Sequence, residues 1–492
     1  MTEKDKKTLF AAFKSKDSRF DGHFFVGISS TGIYCRPVCR ARLPKEENCS
    51  YFKTAAEAEQ AGYRPCLLCR PELAPHKAVE DTGNVLARKA ARLLEESCGS
   101  GPRLTELAGY LGCTDRHLRR VFMKEYHVTP VEYLQTCRLL MAKNLLTDTD
   151  LSVIEVAMAA GFGSLRRFNE LFLKQYQLTP TSLRKEIKEG KERRSEITVG
   201  VGYRTPYEWQ KILDFLFMRA IPGVETVRDG FYFRTVRQMD RKGKPIVGWI
   251  KVGNKPQTNV LSVTISESLI TVLPQILARI RRLFDLYCDP EVVYEALSCM
   301  NEIITEVCVK GTRVPGCMEP FEMSARAVLG QQITVRAART LAGRMAEKLG
   351  TPIETGIEGL NYVFPSPEDI LKLEGRIEDH LGPLGIIATR ARTIQSLAHM
   401  FSSGKIDCSL FADPENEIEK LMQLPGIGAW TAKYIAMRAI GWTDAFLETD
   451  YGIKKALEPM TVKEMLTKAE EWRPWRSYAT ISLWNSLSEM ED

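Results

Sequence analysis

Four cysteines near the N-terminus constrain the fold of this chain more than any other feature. Cys35 and Cys39 form a C-x3-C pair, Cys66 and Cys69 form a C-x2-C pair, and 26 residues separate the pairs. This arrangement is typical of tetrahedral zinc sites. Spacing alone favours a closed site that only stabilises the fold. Because zinc keeps a coordinated sulfur deprotonated at neutral pH, one of the four cysteines could also act as a nucleophile.

The residues around these cysteines resemble a known domain. From Asp21 to Glu72 the sequence closely resembles the metal-binding, phosphotriester-repairing N-terminal domain of Ada-type adaptive-response proteins. The resemblance implies that the four cysteines hold one Zn²⁺ and that Cys35 accepts a methyl group from a DNA methylphosphotriester. Cys49 lies outside the family pattern, and we expect it to be a small buried apolar residue rather than a ligand.

The charge of such a site indicates how the methyl transfer would be sensed. Four thiolates around Zn²⁺ carry a net charge of about −2, which DNA phosphates repel, and methylation of one sulfur removes one negative charge. We expect three arginines beside the cysteines to contact the DNA backbone: Arg36, Arg40 and Arg64. The transfer is therefore predicted to raise the affinity of the protein for DNA.

Length and composition indicate a multidomain protein. The 492 residues exceed what one hydrophobic core can hold, and 44% hydrophobic with 26% charged residues is typical of soluble globular domains. No stretch approaches ~18 uncharged apolar residues and the N-terminus lacks an apolar signal core, so we expect no membrane partner and a cytoplasmic, nucleoid-associated protein of bacterial type. Thirteen cysteines without export signals indicate reduced thiols, and the net charge of +6 permits nucleic-acid binding.

The next segment contains an internal repeat. An apolar stripe with helical spacing precedes Gly112 and recurs 49 positions later before Gly161. The two stripes are Leu104, Leu107, Ala108 and Leu111, and Val153, Val156, Ala157 and Ala160. Each unit is predicted to be a helix, a glycine turn and a second helix, which is the helix-turn-helix arrangement. Taken singly, either unit could be an ordinary helical hairpin.

The second helix of each unit is basic on its outer face. The candidate recognition residues are Arg116, Arg119, Arg120, Arg166 and Arg167. Two such helices about 34 Å apart could enter successive major grooves of one duplex. Residues 83–187 resemble the AraC-family DNA-binding domain, so we expect double-stranded promoter DNA and RNA polymerase as partners of a monomeric protein.

A charged linker ends this half of the chain. Residues 188–197 lack aromatic side chains, which predicts a linker with a boundary near Arg194. Alternating polar and apolar residues then predict strands flanked by helices as far as Asp289, and the remainder is predicted to be almost entirely helical.

A second DNA-binding signature lies in the helical region. The sequence LPGIGAWTAKY, from Leu424 to Tyr434, is typical of a helix-hairpin-helix, in which Gly426 and Gly428 let the turn approach a DNA phosphate. Asp450 follows 16 residues later, just before a predicted helix, where an aspartate is usually an N-cap.

Residues 198–488 resemble the AlkA-type 3-methyladenine DNA glycosylases of the helix-hairpin-helix superfamily. The resemblance implies that Asp450 stabilises the positive charge that develops on the sugar as the N-glycosidic bond breaks. It also implies a pocket for the flipped damaged base, in which electron-rich rings attract a cationic alkylated purine. The implied pocket residues are Trp430, Tyr434, Trp484 and Gln331, and Gln332 takes the place of the apolar wedge that fills the vacated base stack.

Three motifs of related proteins are missing from the sequence. Trp430 replaces the lysine of the lyase members, so we predict monofunctional base excision without Schiff-base chemistry. No cysteine follows Cys408, so the C-terminal four-cysteine iron–sulfur cluster of other relatives cannot form, and we expect no organic cofactor. Without a PCHR motif we expect no O6-methylguanine methyltransferase activity.

The predicted fold class is multidomain, α+β and mainly α. The predicted domains are a small zinc-bound α/β domain at 1–80, an all-α double helix-turn-helix domain at 83–187, a TBP-like α+β domain at 198–300 and a helix-hairpin-helix glycosylase bundle at 301–492. We predict that irreversible methyl transfer to Cys35 activates transcriptional regulation in the adaptive response to alkylation, and that Asp450 supports excision of alkylated purines such as 3-methyladenine. Two alternatives stay open: a regulator whose glycosylase-like half only binds DNA, and a glycosylase whose zinc domain is purely structural.

Overall fold

The computed structural model describes residues 3–17, 20–71, 74, 85–96, 104–188, 197–240, 243–409 and 412–488 of the chain. Contacts between residues divide the chain into two units. One unit comprises residues 1–205, 238–246 and 254–278, and the other comprises residues 206–237, 247–253 and 279–492. Within the described ranges, no helix has the length and hydropathy of a membrane span.

A four-stranded sheet forms the N-terminal domain. Its elements are α1 (Glu3–Ser15), β1 (Phe25–Ile28), β2 (Ile33–Cys35), β3 (Cys49–Phe52), α2 (Ala55–Gln60) and β4 (Arg64–Pro65). The strand order is β3-β1-β2-β4, with β1 antiparallel to β2 and β3, and with β2 parallel to β4. Because β2 and β4 are parallel, the loops that follow them leave the sheet at the same edge. Cys35 ends β2 and Cys66 follows β4, so the two cysteine pairs begin at that edge.

Two helix-turn-helix units come next. The helices are α3 (Val85–Glu96), α4 (Leu104–Tyr110), α5 (Asp115–Tyr126), α6 (Pro130–Asp148), α7 (Val153–Ala159), α8 (Leu165–Tyr176) and α9 (Pro180–Lys188). Gly112, with φ +66°, lies in the turn from α4 to α5, and Gly161, with φ +86°, lies in the turn from α7 to α8. The Thr114 and Ser164 side chains cap α5 and α8 by accepting hydrogen bonds from backbone amides. The predicted repeat is confirmed, and the long helix α6 connects its two units along the chain.

Some predicted boundaries lie outside the described residues. The end of the first domain at 80 and the start of the second at 83 fall within residues 75–84, and the boundary near Arg194 falls within residues 189–196. These boundaries stay predictions, as does the boundary between residues 300 and 301.

A five-stranded sheet opens the second half of the chain. The elements here are β5 (Ile197–Gly202), α10 (Trp209–Arg219), β6 (Glu225–Arg228), β7 (Phe231–Met239), β8 (Pro245–Lys255), β9 (Val260–Ile265) and α11 (Leu273–Leu283). The strand order is β5-β9-β8-β7-β6. Antiparallel pairing joins β5 to β9, with Ile197 opposite Ile265, and β6 to β7, with Glu225 opposite Arg234. The predicted mixture of strands and flanking helices is confirmed.

The remaining described residues are mostly helical, as predicted. The helices are α12 (Pro290–Leu297), α13 (Pro320–Leu329), α14 (Val335–Leu349), α15 (Pro367–Leu371), α16 (Ile377–Leu381), α17 (Ala388–Ser402), α18 (Pro414–Met422), α19 (Ala429–Ile435), α20 (Tyr451–Ala456), α21 (Val462–Ala469) and α22 (Arg476–Ser488). Two short strands, β10 (Thr351–Pro352) and β11 (Tyr362–Val363), pair with each other. The predicted hairpin lies between α18 and α19, where Gly426 has a left-handed φ of +91°.

Candidate active sites

The four predicted zinc ligands converge at one edge of the N-terminal sheet. Their sulfur atoms all lie within 4.8 Å of one another. Cys35, Cys39 and Cys66 are buried, and Cys69 is partly buried. The Cys66 amide donates a hydrogen bond to the Tyr34 carbonyl at 3.0 Å, which holds the second ligand loop against β2.

This set of donors fits Zn²⁺. Four sulfur ligands without a carboxylate suit zinc, whereas magnesium and calcium take oxygen ligands. Hydrogen bonds with the other thiols, above all with Cys39, raise the pKa of Cys35. The hydrogen bond with Cys35 lowers the pKa of Cys66. A divalent cation held by all four sulfur atoms would let the thiols ionise together.

Arg36 is buried and paired, and its contact with the DNA backbone stays a prediction. Its Nε donates to Asp21 Oδ1 at 2.9 Å, its Nη2 also pairs with Asp21, and both side chains are buried. Its backbone amide donates to Cys69 Sγ at 3.3 Å. These contacts show that Arg36 orders the ligand loop, and its pairing with Asp21 balances the charge of the buried guanidinium.

The other residues near the cysteines are more accessible. Arg40 is exposed and Arg64 is half-buried, and their contact with DNA stays a prediction. Cys49 is half-buried in β3, less buried than expected, and within the described chain it does not belong to the sulfur cluster. Burial raises the pKa of the Cys49 thiol to about 11, so the thiol stays protonated and weakly nucleophilic at neutral pH.

The five predicted recognition arginines are exposed on α5 and α8. The opposite face of each helix is anchored in a core, by Leu118 and Phe122 on α5 and by Phe168 and Phe172 on α8, all fully buried. The basic faces therefore point away from the cores. Contact between these arginines and DNA bases or phosphates stays a prediction.

Asp450 lies among aromatic side chains at the start of α20. Its Oδ1 accepts a hydrogen bond from the Ile453 amide at 3.1 Å, which confirms the predicted N-cap. The same carboxylate accepts from Trp430 Nε1 at 3.2 Å and from Trp484 Nε1 at 2.9 Å. In the described part of the chain no lysine or arginine pairs with it. The neutral donors fix the orientation of the carboxylate but leave its negative charge uncompensated.

Two other acids on the same loop are engaged elsewhere. Glu448 pairs with Lys433 at 2.7 Å, and Asp444 pairs with Arg476 at 2.7 Å. Their negative charges are balanced by cations. Asp450 is therefore the acid of these three whose charge is available to a reacting group.

The three predicted pocket aromatics come together around Asp450. The Trp430 and Tyr434 rings stack with their centroids 5.1 Å apart and their planes 15° apart. The Trp484 ring lies 6.3 Å from Tyr434 at 60°. Phe215 on α10, which sequence reasoning missed, adds a ring 6.5 Å from Trp484 and nearly parallel to it, at 21°. The result is a cluster of four aromatic rings with one carboxylate at its edge, which we call the aromatic cleft because we expect it to receive the damaged base.

Sequence reasoning also missed two arginines beside this cleft. The Cζ atoms of Arg219 and Arg438 lie 3.8 Å and 4.7 Å from the centroid of the Phe215 ring, and Arg438 Nη1 donates to the Tyr434 hydroxyl at 2.9 Å. Burial alone would raise the pKa of Tyr434, but the positive charges of Arg438, Arg219 and Arg326 outweigh it and lower the pKa. The cleft is thus more positive on one side than the aromatic residues alone suggest.

Gln331 contacts the hairpin, and its predicted place in the base pocket stays a prediction. Its Nε2 donates to the Gly426 carbonyl at 2.8 Å and to Thr431 Oγ1 at 3.0 Å, and Arg390 donates to its carbonyl. The neighbouring Gln332 is exposed, with a left-handed φ of +56°. Gln331 therefore ties the loop that carries Gln332 to the hairpin. The roles of Gln332 as a wedge, and of Gly426 and Gly428 as phosphate contacts, stay predictions.

Comparison with known proteins covers both halves of the chain. Three family models match: the metal binding domain of Ada at residues 8–72, a helix-turn-helix domain at residues 107–186 and the AlkA N-terminal domain at residues 198–319. A Mycobacterium tuberculosis protein, described as a probable bifunctional transcriptional activator/DNA repair enzyme AlkA, is 33% identical over 492 residues and covers 98% of this chain and 97% of its own length.

Two further relatives each match one half. The Escherichia coli DNA-3-methyladenine glycosylase 2 is 34% identical over 285 residues, which are 58% of this chain and 95% of the relative. The Bacillus subtilis bifunctional transcriptional activator/DNA repair enzyme AdaA is 30% identical over 179 residues, which are 36% of this chain and 82% of the relative.

Proposed function

The chain belongs to the family of bifunctional transcriptional activators and DNA repair enzymes that combine Ada-type and AlkA-type domains. On this basis we propose a function for each of its domains and for the residues at its sites. The zinc domain repairs methylphosphotriesters at Cys35, the helix-turn-helix units bind promoter DNA, and the second half excises alkylated purines at Asp450. We further propose that the protein acts as a cytoplasmic monomer and recruits RNA polymerase.

At the zinc site the Cys35 sulfur attacks the methyl carbon of the phosphotriester. A carbon–sulfur bond forms, the carbon–oxygen bond breaks, and its electron pair stays on the phosphate oxygen, which leaves an ordinary phosphodiester. Bound Zn²⁺ keeps the sulfur ionised so that no base is needed. The Arg36 amide steadies the neighbouring Cys69 sulfur. The thioether product is stable, so each protein reacts once.

The same reaction changes how the protein binds DNA. It removes one negative charge from a domain that must approach phosphates, which lowers the electrostatic repulsion between them. We propose that the methylated protein therefore binds its operator more tightly and activates transcription of alkylation-response genes.

In the second half, the damaged purine flips into the aromatic cleft, where Trp430, Tyr434 and Trp484 stack on it. The bond between the base and C1′ of the sugar breaks, and its electron pair leaves with the base. The carboxylate of Asp450 stabilises the cationic sugar until water adds to C1′ and releases one proton to the solvent. The observation that carries this proposal is the Asp450 carboxylate held by two indole N–H groups in the cleft.

Peptide mass spectrometry and base release test the two activities. After incubation with methylphosphotriester DNA, we expect a single methyl group on the peptide that contains Cys35. On DNA that contains 3-methyladenine, we expect release of the free base and an abasic site. If no base is released, the glycosylase-like half only binds DNA; if no methyl is found on Cys35, the zinc domain is purely structural.

A further inference from the structure

Arg70 joins the zinc domain to the long helix α6. It directly follows the ligand Cys69 and has a left-handed φ of +52°, a conformation that a residue with a side chain keeps only where its surroundings hold it. Its Nη1 donates to Asp148 Oδ1 at 2.7 Å, and its Nη2 donates to Asn144 Oδ1 at 2.5 Å and to Thr147 Oγ1 at 2.9 Å. These three acceptors belong to the C-terminal end of α6.

This contact differs from an ordinary surface ion pair. The side chains of Arg70 and Asp148 are 26% and 13% exposed, and Asn144 is buried. Three hydrogen bonds from one charged, planar guanidinium fix the orientation of Arg70 relative to α6 as well as its distance from it. A single exposed ion pair, in contrast, contributes little to stability. Arg70 therefore holds the ligand loop in one orientation on the end of α6.

A short series of contacts connects this joint with Cys35. The amide of Arg36, the residue after Cys35, donates to Cys69 Sγ at 3.3 Å, and the Arg36 guanidinium donates to the Cys69 carbonyl at 3.4 Å. Arg70 is the next residue after Cys69. The methyl acceptor is therefore linked to α6 through the second ligand loop.

Two further contacts place the zinc domain beside the second helix-turn-helix. Helix α2 packs against α6, and strand β4 packs against α8, the second recognition helix. The second helix-turn-helix begins at Ser152, which caps α7 a few residues after Asp148. Arg64 of β4 and the basic face of α8 thus lie on neighbouring elements.

We propose that Arg70 is a positioning residue for operator recognition: it locks the zinc domain onto α6, so that this domain and the second helix-turn-helix bind DNA as one body. The inference rests on the proposed regulatory function. Two DNA-binding surfaces in a fixed register act at high effective concentration on neighbouring DNA, whereas loosely linked surfaces lose that advantage. The joint therefore lets the second helix-turn-helix benefit from the relief of repulsion when Cys35 is methylated.

The substitution Arg70→Met in the full-length, zinc-loaded protein tests the joint. Operator affinity is measured for the methylated and unmethylated forms, together with zinc content and the rate of methyl transfer from a short damaged duplex. We expect the increase in affinity on methylation to fall from about 10-fold to about twofold or less, with zinc content and transfer rate unchanged. An unchanged increase overturns the proposal, and so does an equal loss of affinity in both forms, which is the effect of general damage.

Matched variants separate the joint from a simple loss of charge. Lys53→Met removes one exposed cation of the zinc domain, for which the described residues show no hydrogen bond or ion pair with α6, and it should leave the increase within about twofold of wild type. Asp148→Asn weakens the joint from the other side, so combining it with Arg70→Met should add almost nothing to Arg70→Met alone. Fully additive losses would contradict the proposed contact. Arg70→Lys keeps the charge without the three-way geometry and should restore only part of the increase.

Hydrogen exchange tests the joint without relying on regulation. In the unmethylated full-length protein, Arg70→Met should increase exchange both in the ligand loop, residues 66–71, and at the end of α6, residues 145–149. Unchanged exchange at α6 overturns the joint even in a protein that regulates transcription. Faster exchange in a protein that accepts no methyl group supports the joint and contradicts the proposed function instead.

Discussion

The zinc site and the aromatic cleft differ in whether their charged side chains are paired with opposite charges. Beside the cysteines, the buried guanidinium of Arg36 is fully paired with Asp21. In the cleft, Asp450 accepts hydrogen bonds from neutral indoles, and among the described residues no cation balances its charge. Arg219 and Arg438 beside the cleft stack on an aromatic ring, and no described carboxylate pairs with them.

This difference matches two kinds of chemistry. In the proposed reaction, methyl transfer changes the charge at Cys35 once and permanently. Because Asp21 already balances the charge of the neighbouring Arg36, this change alone alters the repulsion that an approaching phosphate meets. The proposed excision needs the same negative charge in every turnover, which fits an Asp450 carboxylate that neutral donors hold in place. In this proposal the charge of the zinc site changes permanently in one reaction, whereas the Asp450 carboxylate keeps its charge through every turnover.

The largest effect on activity should come from removing the negative charge of Asp450 in the cleft. Asp450→Asn keeps the shape and most of the capping ability, but it cannot stabilise a cationic sugar. We expect the rate of 3-methyladenine release to fall by roughly 10²–10³ or more, because one preorganised electrostatic interaction is lost. Affinity for alkylated DNA should be nearly unchanged. Single-turnover release of radiolabelled base measures the effect, and a near-wild-type rate would reduce Asp450 to a helix cap.

The altered charge at the zinc site should give a smaller, salt-dependent effect. Methylated protein should bind its operator on the order of 10-fold more tightly than unmethylated protein at low salt, and the ratio should shrink as salt rises, because salt screens the repulsion. Fluorescence anisotropy over a salt series measures the ratio. Equal affinities of the two forms at low salt would remove the proposed switch.

Arg167 on α8 provides a contrast with Cys35, because methyl transfer does not change its charge. Arg167→Met should weaken operator binding by up to about 10-fold and reduce the salt dependence by about one unit of slope. Unlike methylation of Cys35, it should weaken the methylated and unmethylated forms equally and leave methyl transfer unchanged. An effect on only one form would mean that α8 contacts DNA in only one state.

The smallest effect should follow from crowding Asp450 without changing its charge. A Cβ atom at Gly452 would lie 3.2 Å from Asp450 Oδ1 and 3.2 Å from Trp484 Cδ1, which is tighter than most such contacts. Gly452→Ala should therefore shift the carboxylate slightly and slow base release about two- to fivefold, with methyl transfer unaffected. A loss as large as that of Asp450→Asn would show that the orientation of the carboxylate matters as much as its charge.

The two sites also differ in how far the sequence predicted them. The four zinc ligands form two closely spaced pairs in one short part of the sequence, so their spacing alone predicted the cluster. The cleft combines side chains from α10, α19, α20 and α22, and no local pattern connects Phe215 or Arg219 with Trp430. The burial and pairing of Arg36 were not predicted for the same reason, since nothing near it in the sequence marks Asp21 as its partner. Local spacing predicts contacts within a segment, whereas pairing between segments requires the fold.

We propose that two repair activities reside at separate sites of one chain. The most direct test incubates wild type, Cys35→Ala and Asp450→Asn with methylated DNA and measures protein mass and released bases in the same reaction. We predict that Cys35→Ala takes up no methyl group but releases 3-methyladenine at the wild-type rate, and that Asp450→Asn takes up one methyl group but releases almost no base. Loss of both activities in either variant, or a methyl group on Cys49 of the wild type, would contradict the account.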